Sequence, residues 1–366
     1  MEGKKDPVSG WIGGVEPPAH LKTTGMTAVF ELECREQPAK LAHLLRAYQD
    51  DPVIRKELDT LREMSRTRGP ILFMGMGASY CSSLAGTSYL QSGGRSAFTV
   101  DASEWLHYSE NWDDPSLSLL VTTSGESAEL VRLCKKAADK RLALLCNNHH
   151  STCWALVGNK LPILAGPEYG NATKTYTNAT AACIVLAFHI LGRAWQGDVA
   201  RVLDSFAQTL DLLLQQRNRI EEFCRGAANI EIIGRGPAYG AAIMGALCIR
   251  EMTGQRAASH SGGGFRHGPL LDVNSSHVAM IFALGRTANL GVTLAQDCLA
   301  RGGRVILVSF ENRPESDRLL PIKLDAVPEP WEAITSVLVP QALTLAIAER
   351  FGANLKPRFQ YGEMKE

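Results

Sequence analysis

The sequence predicts an α/β protein built from two similar domains, each with a parallel sheet flanked by helices. In both halves of the 366-residue chain, short apolar runs typical of buried strands alternate with helical stretches. A pattern of four residues also recurs at a strand-to-helix junction of each half, and each residue is the same number of positions from its counterpart. The first set is Gly75, Gly77, Tyr80 and Gly86, and the second is Gly234, Gly236, Tyr239 and Gly245. A repeat this long indicates a duplicated domain rather than a solenoid unit.

The apolar runs predict strands at residues 70–77, 97–101, 116–123, 141–147, 229–236, 276–284 and 303–310. Helical spacing of apolar residues predicts helices over 30–48, 127–140 and 212–228. The apolar run 181–192 is too short to cross a bilayer and contains a histidine, so we expect a buried helix there. We divide the chain into an N-terminal extension (1–29), a first domain (30–200), a second domain (201–350) and a C-terminal tail (351–366).

Composition excludes several classes of function. Hydrophobic residues make up 45% and charged residues 21% of the chain, which is typical of a globular protein. Lys and Arg number 38, as do Asp and Glu, so the formal net charge is zero. We therefore expect neither a nucleic acid nor an anionic membrane as a partner.

The cysteines and the N-terminal residues favour a reducing compartment. Nine cysteines are scattered without a Cys-x-x-Cys motif, which argues against a disulfide framework. Residues 1–25 contain no apolar signal region, so we expect a cytoplasmic protein. The stretch CNNHHSTC (146–153) lacks a second ligand pair at zinc-finger spacing, and we interpret it as a loop after a strand rather than a metal site.

The loops after the strands carry the candidate chemistry, because open α/β sheets bind ligands at the carboxyl ends of their strands. The stretch GMGASY (75–80) suggests a dinucleotide site, with Asp101 placed to bind a ribose. Tyr80 stands where the third glycine of that motif belongs, so this signal is weak. A nicotinamide enzyme remains a minor alternative.

The stretch TTSGES (122–127) is more informative, because four hydroxyls and a glycine lie between a strand and a helix. Thr122, Thr123, Ser124 and Ser127, with backbone N–H groups at a helix N-terminus, could bind a phosphate monoester. No lysine follows at the spacing of a nucleotide-binding loop. Ordinary helix capping explains the same residues without any ligand.

Three further segments could border the same pocket. The threonine-rich stretch 166–180 predicts a helix N-terminus after another strand. Glu251 lies on a predicted helix over 245–254, and His267 follows it in SHSGGGFRHGP (259–269). A carboxylate and a histidine beside a phosphate site suit proton transfer. A solvated helix residue, a turn histidine and a flexible loop are the plainer alternatives.

Together these stretches resemble the SIS (sugar isomerase) family, and most closely the isomerase half of glutamine–fructose-6-phosphate aminotransferases. The resemblance covers residues 30–360 and rests on GMGASY, DASEW (101–105), TTSGES, GPEYGNATKTYT, the stretch 234–251 and FRHGP (265–269). It implies two tandem flavodoxin-like SIS domains. A hexose 6-phosphate or aminosugar phosphate would then be bound by Ser79, Thr122, Thr123, Ser124, Ser127, Asn171, Ala172 and Thr173.

The resemblance also implies catalytic roles. Glu251 matches the general base that moves a proton between C1 and C2 of the sugar. His267 matches the histidine that promotes ring opening, usually donated by the partner subunit of a homodimer. In this interpretation the three glycines at 262–264 let the backbone pass close to the sugar. No metal or organic cofactor is needed for this chemistry.

Several positions depart from the family pattern. Gly264 stands where related enzymes carry a glutamate, and Cys248 where the aminotransferase has a lysine one turn before the general base. The family's C-terminal lysine, which opens the ring or forms a Schiff base, has its match near Glu363. We expect Lys365 to take that role, with Lys356 as the alternative.

The family resemblance leaves three functions open. The chain shows no glutaminase domain with an N-terminal cysteine, so we expect it to run aminosugar chemistry in the direction that releases an amine. The leading hypothesis is a glucosamine-6-phosphate deaminase. A deglycase of fructosyl-amino acid 6-phosphates is the close alternative, with a plain aldose–ketose isomerase third. A sugar-phosphate sensor without catalysis is the hypothesis from a different class.

Overall fold

A computed structural model describes residues 25–109, 115–136 and 141–351 of the chain. The first domain is preceded by two helices, α1 (Met26–Asp50) and α2 (Pro52–Ser65). Asp51 caps α2 by accepting hydrogen bonds from the N–H groups of Val53 and Ile54, and Pro52 occupies the first helical position. Both features are typical helix-start signals. Helix α1 confirms the helix expected over 30–48.

The first sheet has five parallel strands in the order β2-β1-β3-β4-β5. These strands are β1 (Ile71–Gly75), β2 (Ala97–Asp101), β3 (Leu117–Thr122), β4 (Leu142–Cys146) and β5 (Asn159–Pro162). The helices between and after them are α3 (Ala78–Ser92), α4 (Ala102–Tyr108), α5 (Ala128–Lys136), α6 (Thr152–Leu156) and α7 (Lys174–Leu191). This order is that of a flavodoxin-like doubly wound sheet.

Helix α8 (Val199–Cys224) leads into the second sheet, whose order is β10-β9-β8-β6-β7. Its parallel strands are β6 (Asn229–Gly234), β7 (Ala257–Ser261), β8 (His277–Ala283), β9 (Arg304–Ser309) and β10 (Leu319–Lys323). The remaining helices are α9 (Tyr239–Thr253), α10 (Gly262–Arg266), α11 (Ala288–Ala300), α12 (Glu332–Ser336) and α13 (Leu338–Phe351). The order repeats that of the first sheet, which confirms the predicted duplication.

One continuous core joins the two domains. Helix α7 is buried along nearly its whole length, as expected for the apolar run 181–192. Gln37 of α1 donates from Nε2 to Gln341 of α13 at 2.9 Å, and its Oε1 accepts from Thr177 of α7 at 2.6 Å. Helices α3 and α9, which follow the first strand of each sheet, also pack against each other. The relative placement of the domains is therefore fixed by buried contacts.

The C-terminal helical segment is long and apolar. Residues Glu332–Phe351 have a mean hydropathy of 1.2 over a window that is 94% buried inside the protein. By length and composition they could cross a membrane, but buried core helices have the same composition. Packing of α13 against α8 and α9 accounts for these apolar residues.

The structure corrects one expectation in detail. Residues 259–269 are not a single glycine-rich loop, because 259–261 end the edge strand β7 and 262–266 form the short helix α10. Ser261 caps that helix through a hydrogen bond from the N–H of Gly264. A Cβ on Gly262 would lie 2.3 Å from the Arg235 side chain, whereas one on Gly263 would meet nothing within 4 Å. Close packing within the domain therefore explains Gly262.

Burial of Glu332 predicts that the stability of the protein depends on pH. Its side chain is buried at the start of α12, and burial raises its pKa to about 8. The folded state therefore holds this proton more tightly than the unfolded state does. Protonated Glu332 therefore adds to the free energy of unfolding. This added stability is fully present below the unfolded pKa of 4.5 and is lost as the pH rises to about 8.

We expect Glu332→Gln to flatten the fall in unfolding free energy between pH 5 and pH 8, by a few kcal/mol at most. Urea denaturation at several pH values measures this. Glu315→Gln is the control, because Glu315 forms an exposed ion pair with Arg219 and should leave the pH profile unchanged. An unaltered slope in Glu332→Gln would contradict the assignment.

Candidate active site

Each sheet has a topological switch point, which is where sheets of this kind bind ligands. In the first sheet it lies between β1 and β3, whose chain continuations leave in opposite directions. Ser79 lies in the first turn of α3, which follows β1, and the turn 122–127 follows β3. The predicted phosphate-binding residues therefore lie at the edge that the fold favours for a ligand.

Gly125 shapes the turn 122–127. It has φ of +67°, and a Cβ there would lie 2.1 Å from Ser151 Oγ, so a larger residue would be strained. Thr122 Oγ1 accepts from Gly125 N at 3.0 Å, and Ser124 Oγ accepts from Glu126 N at 3.3 Å. A hydroxyl that accepts in this way still has its own O–H to donate to a phosphate.

Thr123, Ser127 and Ser79 are half-buried at the same edge. Ser127 precedes α5, and its carbonyl accepts from Val131 N at 3.0 Å in the first helical turn. Ser79 is the second residue of α3. The capping interpretation of these residues is thus consistent with a phosphate role, because helix N-termini also bind anions.

In the second sheet, helix α12 and the residues before it occupy the space beside the switch point. Its switch point lies between β6 and β8, beside the short turns Gly236–Ala238 and Gly285–Thr287. Helix α12 packs against the first turn, and a Cβ on Gly285 would lie 2.9 Å from Glu332 Oε1. Arg286 of the second turn pairs with Glu329 at 2.8 Å. The first domain therefore holds the candidate site.

Glu251 and Asn171 connect the two domains at this site. Glu251 lies near the end of α9 in the second domain, half-buried. Asn171, on the loop between β5 and α7, donates from Nδ2 to Glu251 Oε2 at 2.9 Å. The structure therefore places the predicted general base against one of the predicted substrate-binding residues.

Cys248 lies one helical turn before Glu251, fully buried, with Sγ 3.9 Å from the carbonyl oxygen of Ala172. Burial, together with the negative charge of Glu251, raises the pKa of this thiol well above its usual range. The thiol is therefore neutral. It provides none of the positive charge that a lysine would carry at this position.

His267 directly follows α10, and its side chain is exposed to solvent. The neighbouring Arg266 pairs with Asp297 at 2.5 Å, which ties the end of α10 to α11. Of the residues expected from the sequence, Asn171 contacts Glu251 and Ala172 lies beside Cys248, whereas the His267 side chain is exposed away from them. Lys356 and Lys365 lie outside the described residues.

Asp101 has a local role that explains its place without a ribose. Its carboxylate accepts from Ser103 N at 2.8 Å and Glu104 N at 3.3 Å, which caps α4. A groove of about 650 Å³ lies beside it, between α4 and α9. The groove is lined by side chains including Tyr80, Trp105 and Arg250.

Two buried glutamates, Glu33 of α1 behind the β5–α7 loop and Glu168 within that loop, were not identified from the sequence. Glu33 of α1 accepts from the N–H groups of Tyr169 and Gly170, and Glu168 accepts from Thr173. Burial and repulsion from Glu168 raise the pKa of Glu33 to about 8. Burial likewise raises the pKa of Glu168. In the sequence Glu33 is one of several charged residues on an amphipathic helix, so no local signal marks it.

Comparison with known families matches the SIS domain to residues 64–189 and 225–348. The chain belongs to the SIS domain family. Both matched segments coincide with the two sheets, so each half of the duplication is one SIS domain. This confirms the family and the tandem architecture that the sequence motifs predicted.

The relatives of this SIS protein include two longer proteins described as glutamine–fructose-6-phosphate aminotransferase (isomerizing). The one from Pyrococcus horikoshii is 30% identical over 82% of this chain and 52% of its own length. The one from Bartonella henselae is 28% identical over 89% of this chain and 57% of its own. The SIS protein thus spans about half the length of these relatives.

Solved structures show the same fold. The C-terminal domain of glucosamine-fructose-6-phosphate aminotransferase from Francisella tularensis superposes with a TM-score of 0.78 at 22% identity, covering 88% of this chain and 95% of that one. Glucosamine-6-phosphate deaminase from Thermotoga maritima gives 0.71 at 16% identity, covering 90% and 98%. At these identities the likeness concerns the fold.

Proposed function

We propose that this SIS protein is an aminosugar-phosphate deaminase that converts glucosamine 6-phosphate to fructose 6-phosphate and ammonia. The observation that carries the proposal is the hydrogen bond between Asn171 and Glu251. The bond holds a carboxylate against the loop that follows β5, and Ser79 and the turn 122–127 follow strands of the same sheet. We propose that the hydroxyls and amides of Ser79 and this turn bind the phosphate. The relatives named for fructose 6-phosphate chemistry are consistent with such a substrate.

In the proposed reaction, Glu251 takes the proton from C2 of the open-chain aminosugar and returns it to C1. A proton from the substrate's amino nitrogen passes to the C1 carbonyl oxygen, which becomes a hydroxyl, and the C2–nitrogen bond becomes an imine. Water then adds to C2, and ammonia leaves to give the ketose. A carboxylate that first accepts and then donates the same proton is an ordinary general base and acid.

The proposed substrate site contains hydroxyl and amide donors suited to a phosphate monoester. They are contributed by Ser79, Thr122, Thr123, Ser124, Ser127, Asn171, Ala172 and Thr173. We propose that Lys365 completes the site from the C-terminal tail and that no metal or organic cofactor takes part. The nine cysteines are unpaired and buried, which suits the cytoplasm that we propose as its location.

The first test is product formation from glucosamine 6-phosphate, with ammonia and fructose 6-phosphate followed together. We expect equal amounts of both, and a loss of at least about a hundredfold in kcat for Glu251→Gln, because general base catalysis contributes this much. Glu222→Gln on an exposed part of α8 is the control and should keep full activity.

Other outcomes identify the alternatives. Turnover of fructosyl-amino acid 6-phosphates to glucose 6-phosphate, with none on glucosamine 6-phosphate, would replace the deaminase by the deglycase. Binding of hexose 6-phosphates without turnover of any of these substrates would establish a sensor.

We also propose a homodimer in which His267 reaches the active site of the partner subunit. The support is its exposed position at the end of α10, in a chain where Glu251 faces Asn171 instead. Two inactive variants, Glu251→Gln and His267→Ala, test this when mixed after mild unfolding and refolding together.

Consider a dimer of one Glu251→Gln chain and one His267→Ala chain, in which each site takes its histidine from the other chain. One of its two sites then combines an intact Glu251 with an intact His267. We expect activity to return to about a quarter of the wild-type value, since half of the dimers formed at random are mixed and each has one working site. If the histidine acts within its own chain, mixing restores nothing.

A further inference from the structure

The β5–α7 loop, residues 163–173, carries Asn171 to Glu251 and is held from behind by α1. We propose that Glu33 of α1 is a positioning residue that fixes this loop through the amides of Tyr169 and Gly170, and thereby fixes Asn171 against Glu251. The inference rests on the proposed function, in which Glu251 is the proton-transferring group. Glu33 itself does not contact the substrate.

The contacts of Glu33 are directed at the loop backbone. Its Oε1 accepts from Tyr169 N, and its Oε2 accepts from Gly170 N at 3.1 Å. The residue is only 2% exposed. Since both oxygens are occupied by adjacent amides, the carboxyl group fixes the direction of the chain immediately before Asn171.

The opposite side of Asn171 is held by a second carboxylate. Glu168 accepts from Thr173 N at 3.0 Å and from Thr173 Oγ1 at 2.9 Å, and it accepts from both the N–H and the hydroxyl of Thr175. Asn171 and Ala172 therefore lie between two anchored points. A displacement of either anchor changes the approach of the Asn171 amide to Glu251.

The loop is fixed at its start as well. Asn147 at the end of β4 donates to the carbonyl of Gly166 at 2.8 Å and accepts from Ala165 N at 3.0 Å. Glu33 acts on the part of the loop nearest the site, beyond this first anchor. Loss of Glu33 should therefore loosen residues 167–172 without releasing the whole connection.

Holding a loop with two neighbouring buried carboxyl groups costs free energy, because both are removed from water and repel each other when ionised. Burial and mutual repulsion raise the pKa of Glu33, so the pair resists full ionisation. A surface anchor would avoid this cost. Shifted carboxyl groups that cluster beside a polar cleft are more often found at functional sites than elsewhere.

The first experiment measures the loop itself. In Glu33→Gln one amide N–H group must face Tyr169 or Gly170, so one of the two hydrogen bonds is lost. We expect hydrogen exchange of peptides covering residues 164–173 to rise about tenfold or more, with the strands of both sheets unchanged. Glu31→Gln, on the same helix but in an exposed pair with Arg35, is the matched control and should not alter exchange.

This measurement needs no substrate, so it separates the proposal from the proposed function. Unchanged exchange in the 164–173 peptides of a folded Glu33→Gln protein would overturn the anchoring role. If Glu33→Gln does not fold, Glu33→Asp serves instead, because the shorter side chain keeps the carboxyl group but cannot reach both amides.

The second experiment asks whether Glu33 acts through Asn171. With glucosamine 6-phosphate as substrate, we expect Glu33→Gln to lower kcat about tenfold to a hundredfold, since small misplacements have effects of this size. KM should change by a smaller factor than kcat, because the proposed phosphate donors Ser79 and the turn 122–127 do not lie on this loop and remain in place. Asn171→Ala should have the same signature.

The double variant decides the outcome. If Glu33 works by placing Asn171, Glu33→Gln adds little to Asn171→Ala, and the two effects on kcat are strongly non-additive. Independent, multiplying effects would overturn the positioning role even if both single variants were slow. A wild-type protein without turnover would refute the proposed function, and the exchange experiment would still report on the anchor.

Discussion

The hydrogen bond between Asn171 and Glu251 requires the two domains to keep one relative placement, and the candidate site depends on it. The two side chains come from different SIS domains and are 80 residues apart in the chain. Their meeting is maintained by buried contacts such as the bridge from Gln37 to Thr177 and Gln341. Helix α1 thus supports the site as part of the scaffold.

Duplication produced two switch points, and the chain uses them differently. The first remains at the edge where Ser79 and the 122–127 turn present polar groups. The second is filled by α12, whose Glu332 lies against Gly285. Helix α9, which follows β6, carries Glu251 to the loop before α7 of the first domain. The two halves of the duplication therefore differ at their switch points, which fits the single two-domain site that we propose.

The sequence predicted the core strands well because buried parallel strands are continuous apolar runs. It missed β7 and β10 and gave β5 no range beyond a strand expected before residue 166; all three lie at sheet edges. β7 is the small, polar segment AASHS, and β10 contains Pro321, which a central strand would exclude. Glu251 and Asn171 were identified from family motifs. Glu33 was not, because its role exists only once α1 packs against a loop 136 residues away.

The residue one turn before Glu251 bears on how charge is balanced in the proposed reaction. Asn171 donates to Glu251 Oε2, and Cys248 lies one helical turn earlier, fully buried. Burial and the charge of Glu251 raise the pKa of the Cys248 thiol, so it is neutral. A lysine at this position would bring a positive charge towards the reacting atoms, which the thiol does not. In the proposed reaction, charge on the substrate oxygen is therefore stabilised by other groups, such as the turn amides and the histidine that we assign to the partner subunit.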